Sequence, residues 1–262
     1  MTSAPLLSTQ APDHAPLPDW VIEHRGRVVS TQELARPLPA WSAVWADEQT
    51  SGRGQADRVF VSDPGGLYLT AVLPYAGDAL AARGFALAVG WAVREELLAL
   101  GVAGLRLRWP NDLMAGYAKV GGILVEQGGP RTLLVGLGLN ITNRPWLVDY
   151  ALGGCAGRIS DLPGGESLPE KPALAAALLR AIRRAHEEFG CRHLAGFARL
   201  LASSWGEPRA VILEPARGVT LAATCGHFLG IDTSGAVRLR TTPGVEARIP
   251  AHHIQRLREV GL

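Results

Sequence analysis

The 262-residue chain is short of cysteine, of lysine and of net charge, and each shortage excludes something. Its 26 basic and 24 acidic residues leave a formal charge of only +2, and no long run of Lys or Arg supplies the electrostatic footprint of a dedicated nucleic-acid binder. The three cysteines, Cys155, Cys191 and Cys225, are odd in number and fall in no CxxC or Cys/His spacing, so neither a disulfide framework nor a zinc site is read. A reducing, cytoplasmic setting is expected. Nowhere do eighteen apolar residues run together, and the Pro-rich start has neither a basic patch nor an apolar stretch, so no membrane span or export signal is read. Two phosphate-binding patterns are missing as well. No GxxxxGK[ST] occurs, and the GxG at Gly136 is followed by Asn140-Ile141-Thr142 rather than by a third glycine opening a helix.

What is present is a substantial core. Hydrophobic residues make up 47% of the chain, and a chain of this length buries roughly 70% of its unfolded surface. Residues 1–19 read as a Pro-rich tail, 20–207 as one large domain and 208–262 as a small β-rich one. In the large domain, Arg27 to Ser30, Trp41 to Asp47 and Val59 to Ser62 carry strand signals, with a Pro-punctuated segment from Thr31 that begins as a short helix. Leu67 to Leu73, Leu105 to Trp109, Val120 to Glu126 and Leu133 to Leu139 read as buried strands of a central sheet. Helical spacing over Phe85, Val89, Ala92, Val93, Leu97 and Leu100 predicts a helix of about 20 residues ended by Gly101, with a second through Leu174 to Phe189 and a third over His193 to Ser203. After Pro208 short runs at Val211 to Glu214, Val219 to Thr224, Val237 to Thr241 and Ala247 to Ile249 predict a small barrel. The expected class is α+β: a mixed central sheet with helices on one side, and a small C-terminal SH3-like β-barrel.

Three segments stand out from ordinary core. Ser30, Thr31 and Gln49 combine two hydroxyls and a primary amide, a set that both donates to and accepts from a neutral polar ligand such as a cyclic urea. The following loop, with Gly52, Arg53 and Gly54, lets backbone approach a ligand and adds a guanidinium fork suited to carboxylate or phosphate. In isolation Ser-Thr before a helix is more often a helix cap, and GRG a plain turn. The second segment runs from Arg108 to Glu126. A hairpin from Asn111 to Val120 brings Lys119 back to Asn111 and Asp112, with Gly121 and Gly122 leaving space beside it, an arrangement that resembles a phosphate-handling site. Lys119 is one of only two lysines, the other being Lys171 in a Pro-Glu-Lys-Pro loop, so a compact ammonium is kept where most basic positions take Arg. The third segment, GLGLN, ends in Asn140, which either caps the strand end or projects into a site.

In order, ST (Ser30, Thr31), QTSGRG (Gln49 to Gly54), RWPND (Arg108 to Asp112), KVGGILVE (Lys119 to Glu126) and GLGLN resemble the biotin protein ligase family over about residues 28 to 260. GIDTSGAVRL near the C-terminus is similar to that family's terminal barrel. The resemblance implies that biotin and MgATP form biotinyl-5′-AMP, after which a lysine of a biotin carboxyl carrier domain takes the biotin. It implies that Ser30, Thr31, Gln49, Gly52, Arg53, Gly54, Lys119 and Gly122 surround biotin and that Arg53 and Lys119 also serve the chemistry. Arg53, Gln55, Arg58, Trp109, Asn111, Asp112 and Asn140 would lie on the nucleotide side. No metal ligands are assigned. The family loop usually continues as GRGRxGR with a Trp soon after, whereas here Gln55, Ala56, Asp57 and Phe60 follow, which predicts weaker retention of the adenylate. Gln32 stands where the family often has Asn. The residues before Ser30 are too few for a winged helix, so no operator DNA is expected, and a homodimer or a carrier docked at a sheet edge is. A lipoate-type ligase or transferase of related fold and a non-catalytic biotin or nucleotide sensor stay as alternatives; QTSGRG and RWPND favour biotin, and Lys119 a catalyst.

Overall fold

The computed structural model describes residues 19–55, 58–75, 84–143, 145, 148–149, 154–220, 222–241 and 244–260. The chain opens with β1 (Val21–Val28), α1 (Thr31–Ala35) and β2 (Ser42–Gln49), a right-sized crossover that leaves β1 and β2 parallel. There follow β3 (Leu67–Pro74), α2 (Phe85–Ala99), β4 (Leu105–Arg108), β5 (Asp112–Ala115), β6 (Ala118–Gly129) and β7 (Thr132–Leu139). Two short strands, β8 (Val148–Asp149) and β9 (Gly154–Ala156), precede α3 (Lys171–Ala202). Strand order in this nine-stranded sheet is β1-β2-β3-β7-β6-β5-β4, with β9 parallel to β6. A separate antiparallel sheet holds β10 (Arg209–Pro215), β11 (Thr224–Ile231), β12 (Val237–Arg240), β13 (Glu246–Ile249) and β14 (Ile254–Glu259) in the order β13-β12-β11-β10-β14.

The period of two along the central strands sorts their side chains between two environments. Ala43, Trp45, Leu69, Ala71, Val135 and Leu137 face α2 and α3 and form the main core. Their neighbours Val44, Val72 and Leu134 face the other way and pack with Ala35 of α1. The two long helices thus cover one face, and the five-residue α1 covers only part of the other. The rest of that second face is available for a ligand.

Several expectations shift by a few residues for identifiable reasons. β1 extends over Val21–Val28 rather than Arg27 to Ser30, because an edge strand exposed along most of its length has no apolar alternation to display. Val59 to Ser62 forms isolated bridges, Arg53 with Val59 and Gln49 with Ser62, instead of a strand. α2 has fifteen residues and ends ahead of Gly101, whose φ of +96° is the left-handed conformation that stops a helix. α3 is broken at His193 (φ 50°, ψ −173°), the position where the third helix was placed. In the C-terminal sheet the second strand is Thr224–Ile231, not Val219 to Thr224, since Gly226 and Gly230 hide its pattern. β14 went unread because Arg256 and Arg258 alternate with a buried acid, Glu259. The Pro-rich tail, read as residues 1–19, lies outside the described residues except for Asp19.

Candidate active site

Parallel pairing puts the C-terminal ends of β1 and β2 side by side, with Val28 opposite Gln49. That register is why two polar strings distant in sequence meet. The Gln49 side-chain carbonyl accepts from the Thr31 backbone N–H at 2.8 Å and from its hydroxyl at 3.0 Å, while its amide donates to the Ser62 hydroxyl at 2.8 Å. Ser30 occupies the N-cap position of α1, yet its hydroxyl makes no capping bond and is buried without a partner. The helix-cap reading therefore describes the backbone and not the side chain. A polar group buried unpaired costs about 1–3 kcal/mol, which a ligand that reaches it can offset. Gln32, also buried, accepts from the Thr70 hydroxyl at 3.0 Å, and its own amide nitrogen has no partner.

From Gln49 to Ser62 the chain folds back on itself: Gly54 N–H donates to the Arg58 carbonyl at 2.7 Å and Phe60 N–H to the Gly52 carbonyl at 2.8 Å. Gly52 sits where a Cβ would collide with the Phe60 carbonyl. Arg53 reaches across to Glu126 on β6 at 3.1 Å, and Arg58 holds the Gln55 carbonyl at 3.0 Å. Ala56 and Asp57, two of the departures from the family loop, lie outside the described residues. Phe60 lies against Gly138, where a Cβ would stand 2.5 Å from the ring. The two glycines of GLGLN, Gly136 and Gly138, fall on alternate positions of one strand face and keep the sheet open there rather than building a nucleotide turn.

The expected hairpin is β5 and β6. Asp112 pairs with Gly122 and Met114 with Lys119, which returns the Lys119 ammonium to within 2.5 Å of Asp112. Arg108 closes the cluster from β4, donating Nε and Nη2 to the other Asp112 oxygen at 3.1 and 2.7 Å. Burial alone would raise the Asp112 pKa, but the neighbouring Lys119 and Arg108 charges outweigh it and hold the carboxyl below the ordinary value. Two cations on one carboxylate leave a net charge of one unit positive. Arg108 was not among the expected site residues, although an Arg alternating with Leu in a buried strand was a signal that could have found it. Its Nη1 is buried without a partner. Trp109, expected near the nucleotide, packs in the main core. It follows the last residue of β4, where the strand gives way to a turn.

Asn111 donates to the Ile123 carbonyl at 2.5 Å. Asn140 donates to the Lys119 carbonyl at 3.4 Å and accepts from Asn143 at 3.3 Å; Asn143 in turn donates to the Tyr68 hydroxyl at 3.1 Å. Asn140 thus holds the backbone of the strand that carries Lys119, and Asn143, missed in the sequence, holds Asn140.

These groups surround one cavity of about 470 Å³ on the sheet face left open by α1. Ser30, Thr31, Gln32, Gln49 and Thr70 line a neutral polar end, with Gly122, Gly136 and Gly138 along the floor. Arg53, Arg58, Arg108 and Lys119 line a cationic end, where Gly54, Gln55, Asn111 and Asn140 also contribute. Gly52, Trp109 and Asp112 do not line it, Asp112 standing behind Lys119. One end therefore suits an uncharged hydrogen-bonding ring and the other an assembly of anions. Among the described residues no group of three or more His, Cys, Asp or Glu is placed to hold a metal ion.

Residues 21–140 match the model of the Biotin/lipoate A/B protein ligase family. The chain is 32% identical over 229 residues to a Biotin--[acetyl-CoA-carboxylase] ligase of Paracoccus denitrificans, an alignment covering 85% of this chain and 93% of that protein. Similarity to the Bifunctional ligase/repressor BirA of Escherichia coli strain K12 is 32% over 208 residues, covering 77% of this chain and 62% of the relative. In fold the chain resembles a biotin protein ligase from Aquifex aeolicus in complex with biotin and ATP, with a TM-score of 0.74 at 23% identity over 91% of this chain and 99% of the other.

Proposed function

The chain belongs to the biotin protein ligase family, and from that premise we infer how its own residues divide the work of activating biotin with ATP and passing it to a protein lysine. The observation that carries the assignment is the two-ended cavity, neutral and polar at Ser30 and Thr31, cationic at Lys119 and Arg108. Ser30 and Thr31 hold the ureido ring, with Gln49 fixing Thr31, and a hydrophobic acyl slot of the lipoate type would not place a buried unpaired hydroxyl there. The carboxylate of biotin then lies at Lys119. In the first step a carboxylate oxygen attacks the α-phosphorus of ATP and pyrophosphate leaves. In the second, the amine of a carrier lysine attacks the acyl carbon, AMP leaves, and the amine gives up a proton.

Joining a carboxylate to a polyphosphate brings anions together, and fixed positive charge in a dry cavity stabilises that arrangement without reorganisation. Lys119 and Arg108 supply it from the cavity wall, with Asp112 holding the two in place, and Arg53 and Arg58 supply it from the loop above. Asn111 and Asn140 orient the nucleotide side. The loop of Gly52 to Phe60 excludes water from an acyl adenylate that would otherwise hydrolyse. Magnesium enters as part of the MgATP substrate: it keeps several waters and needs few protein oxygens, which agrees with an Asp112 already committed to two cations. When bound it neutralises phosphate charge.

We place the division between the ligase unit and the C-terminal unit at Pro208. The open edge of the large sheet is β1, with Val21 and Ile22 exposed, and a carrier domain or a second copy can extend the sheet there by strand addition. Among the described residues no helix is long and apolar enough to cross a membrane. The deciding experiment is incubation with biotin, MgATP and a purified carrier domain, followed by intact-mass and peptide analysis. A biotin-sized increment on one acceptor lysine is expected; an unmodified acceptor with biotin bound to the protein would make it a sensor.

A further inference from the structure

The turn joining β5 to β6 is gripped from the C-terminal sheet at two points. Arg106 on β4 donates Nε and Nη2 to the carbonyl of Gly116 in that turn, at 3.0 and 2.6 Å. The same guanidinium pairs with Glu259 at the end of β14 through two contacts, 2.7 and 2.6 Å, and both side chains are buried. The second grip is Arg209, the first residue of β10, whose guanidinium carbon lies 4.4 Å from the centre of the Tyr117 ring. None of these five residues lines the ligand cavity.

The hairpin has reason to need outside support. β5 is only four residues long, and its register with β6 shifts between Leu113 and Met114, so the ladder alone leaves the relative placement of Asp112 and Lys119 open to slippage. A guanidinium bridging a turn carbonyl and a fixed carboxylate is a rigid planar spacer, and here it links the last strand of the chain to the turn three residues before Lys119. Arg106 and Arg108 also share a face of β4, so movement of that strand would carry the Arg108 contact to Asp112 with it.

We propose that the C-terminal sheet positions the catalytic ammonium, with Glu259 and Arg106 as one pair of positioning residues and Arg209 and Tyr117 as the other. The proposal rests on the reading of Lys119 as the cation of biotin adenylation. Its signature is a loss in turnover without a loss in biotin binding, because Ser30, Thr31 and Gln49 lie at the start of α1 and on β2, apart from this turn.

The test is the double substitution Arg106→Met and Glu259→Met. Replacing both members of a buried ion pair by apolar residues of similar size often leaves stability unchanged, whereas removing one strands a charge. The expected result is a folded protein whose kcat for biotin-dependent pyrophosphate release falls about 10- to 100-fold, the range that a small misplacement of a catalytic group produces. Its KM for biotin should stay near wild type, and amide exchange at Tyr117 to Lys119 should quicken. A folded double variant with wild-type kcat overturns the proposal. Should that protein fail to fold, Arg209→Ala with Tyr117→Leu removes the second grip without touching the buried ion pair, and a wild-type kcat there overturns it equally. Absence of pyrophosphate release by the wild-type protein would instead refute the proposed function.

Discussion

Removing the Lys119 ammonium should leave a folded protein that binds biotin and hardly activates it. In Lys119→Ala, Asp112 keeps its two hydrogen bonds from Arg108, at 3.1 and 2.7 Å, so the buried carboxylate is not orphaned. The cluster of Lys119, Asp112 and Arg108 changes from one net positive charge to none at the place where a carboxylate must approach a phosphate. One unit charge about 4 Å from an anion in a medium of effective dielectric about 20 is worth about 4 kcal/mol. Because the Lys119 side chain is 34% exposed, solvent reduces that figure, and losses of about 2.7–4 kcal/mol are typical when one stabilising donor is removed from an active site. The expectation is a fall in kcat for pyrophosphate release of about 100- to 1,000-fold. Stopped-flow detection of pyrophosphate at saturating biotin and MgATP, with biotin affinity measured separately by calorimetry, separates chemistry from binding. A variant that releases pyrophosphate at close to the wild-type rate would refute the assignment, and so would one that loses biotin binding in proportion to its rate.

Gly138→Ala would place a methyl 2.5 Å from the Phe60 ring and push it out of the cavity roof, so the KM for biotin should rise by about tenfold, within the 1–3 kcal/mol usual for overpacking, and an unchanged KM would count against Phe60 as part of the site. Gln55→Arg adds charge to the loop over the adenylate and should slow its release several-fold; if release is unchanged there but accelerates strongly in Arg58→Ala, then Arg58 already fills that role. Asp112 has a folded pKa held below its ordinary 3.8, so its contribution to stability is complete above about pH 5 and disappears as pH falls through the folded value. Urea midpoints measured from pH 6 to pH 3 should therefore fall more steeply for wild type than for Asp112→Asn, and parallel curves would show that the carboxylate is not stabilised as described. With a formal charge of +2 the chain should select no DNA sequence over random duplex at moderate salt, which a competition binding assay can check.

Much of this was readable in one dimension because short-range chemistry leaves local marks. Short apolar runs marked the strands from Leu67 to Leu139, and the hairpin that returns Lys119 to Asp112 followed from loop length alone. Position-specific strings supplied the rest of the site: Ser30 with Thr31, Gln49, and the loop at Arg53. Where a residue owes its role to strands distant in sequence, the local pattern carried no such mark. Gln49 meets Thr31 only because β1 and β2 run parallel, a choice made by the α1 crossover. Trp109 and Arg108 are neighbours in the chain, and only the packing around the end of β4 puts the indole in the core while the guanidinium lines the cavity. Gly136 and Gly138 fall in a run that reads as a buried strand, and only pairing with β3 and β6 shows that they form a cavity floor. Arg106 and Glu259 lie 153 residues apart, and nothing local to either betrays the other. Sequence determines which groups are available and the periodicity of each element; only the packing of those elements decides which groups share a space, because burial and pairing are properties of neighbours the chain brings together from afar.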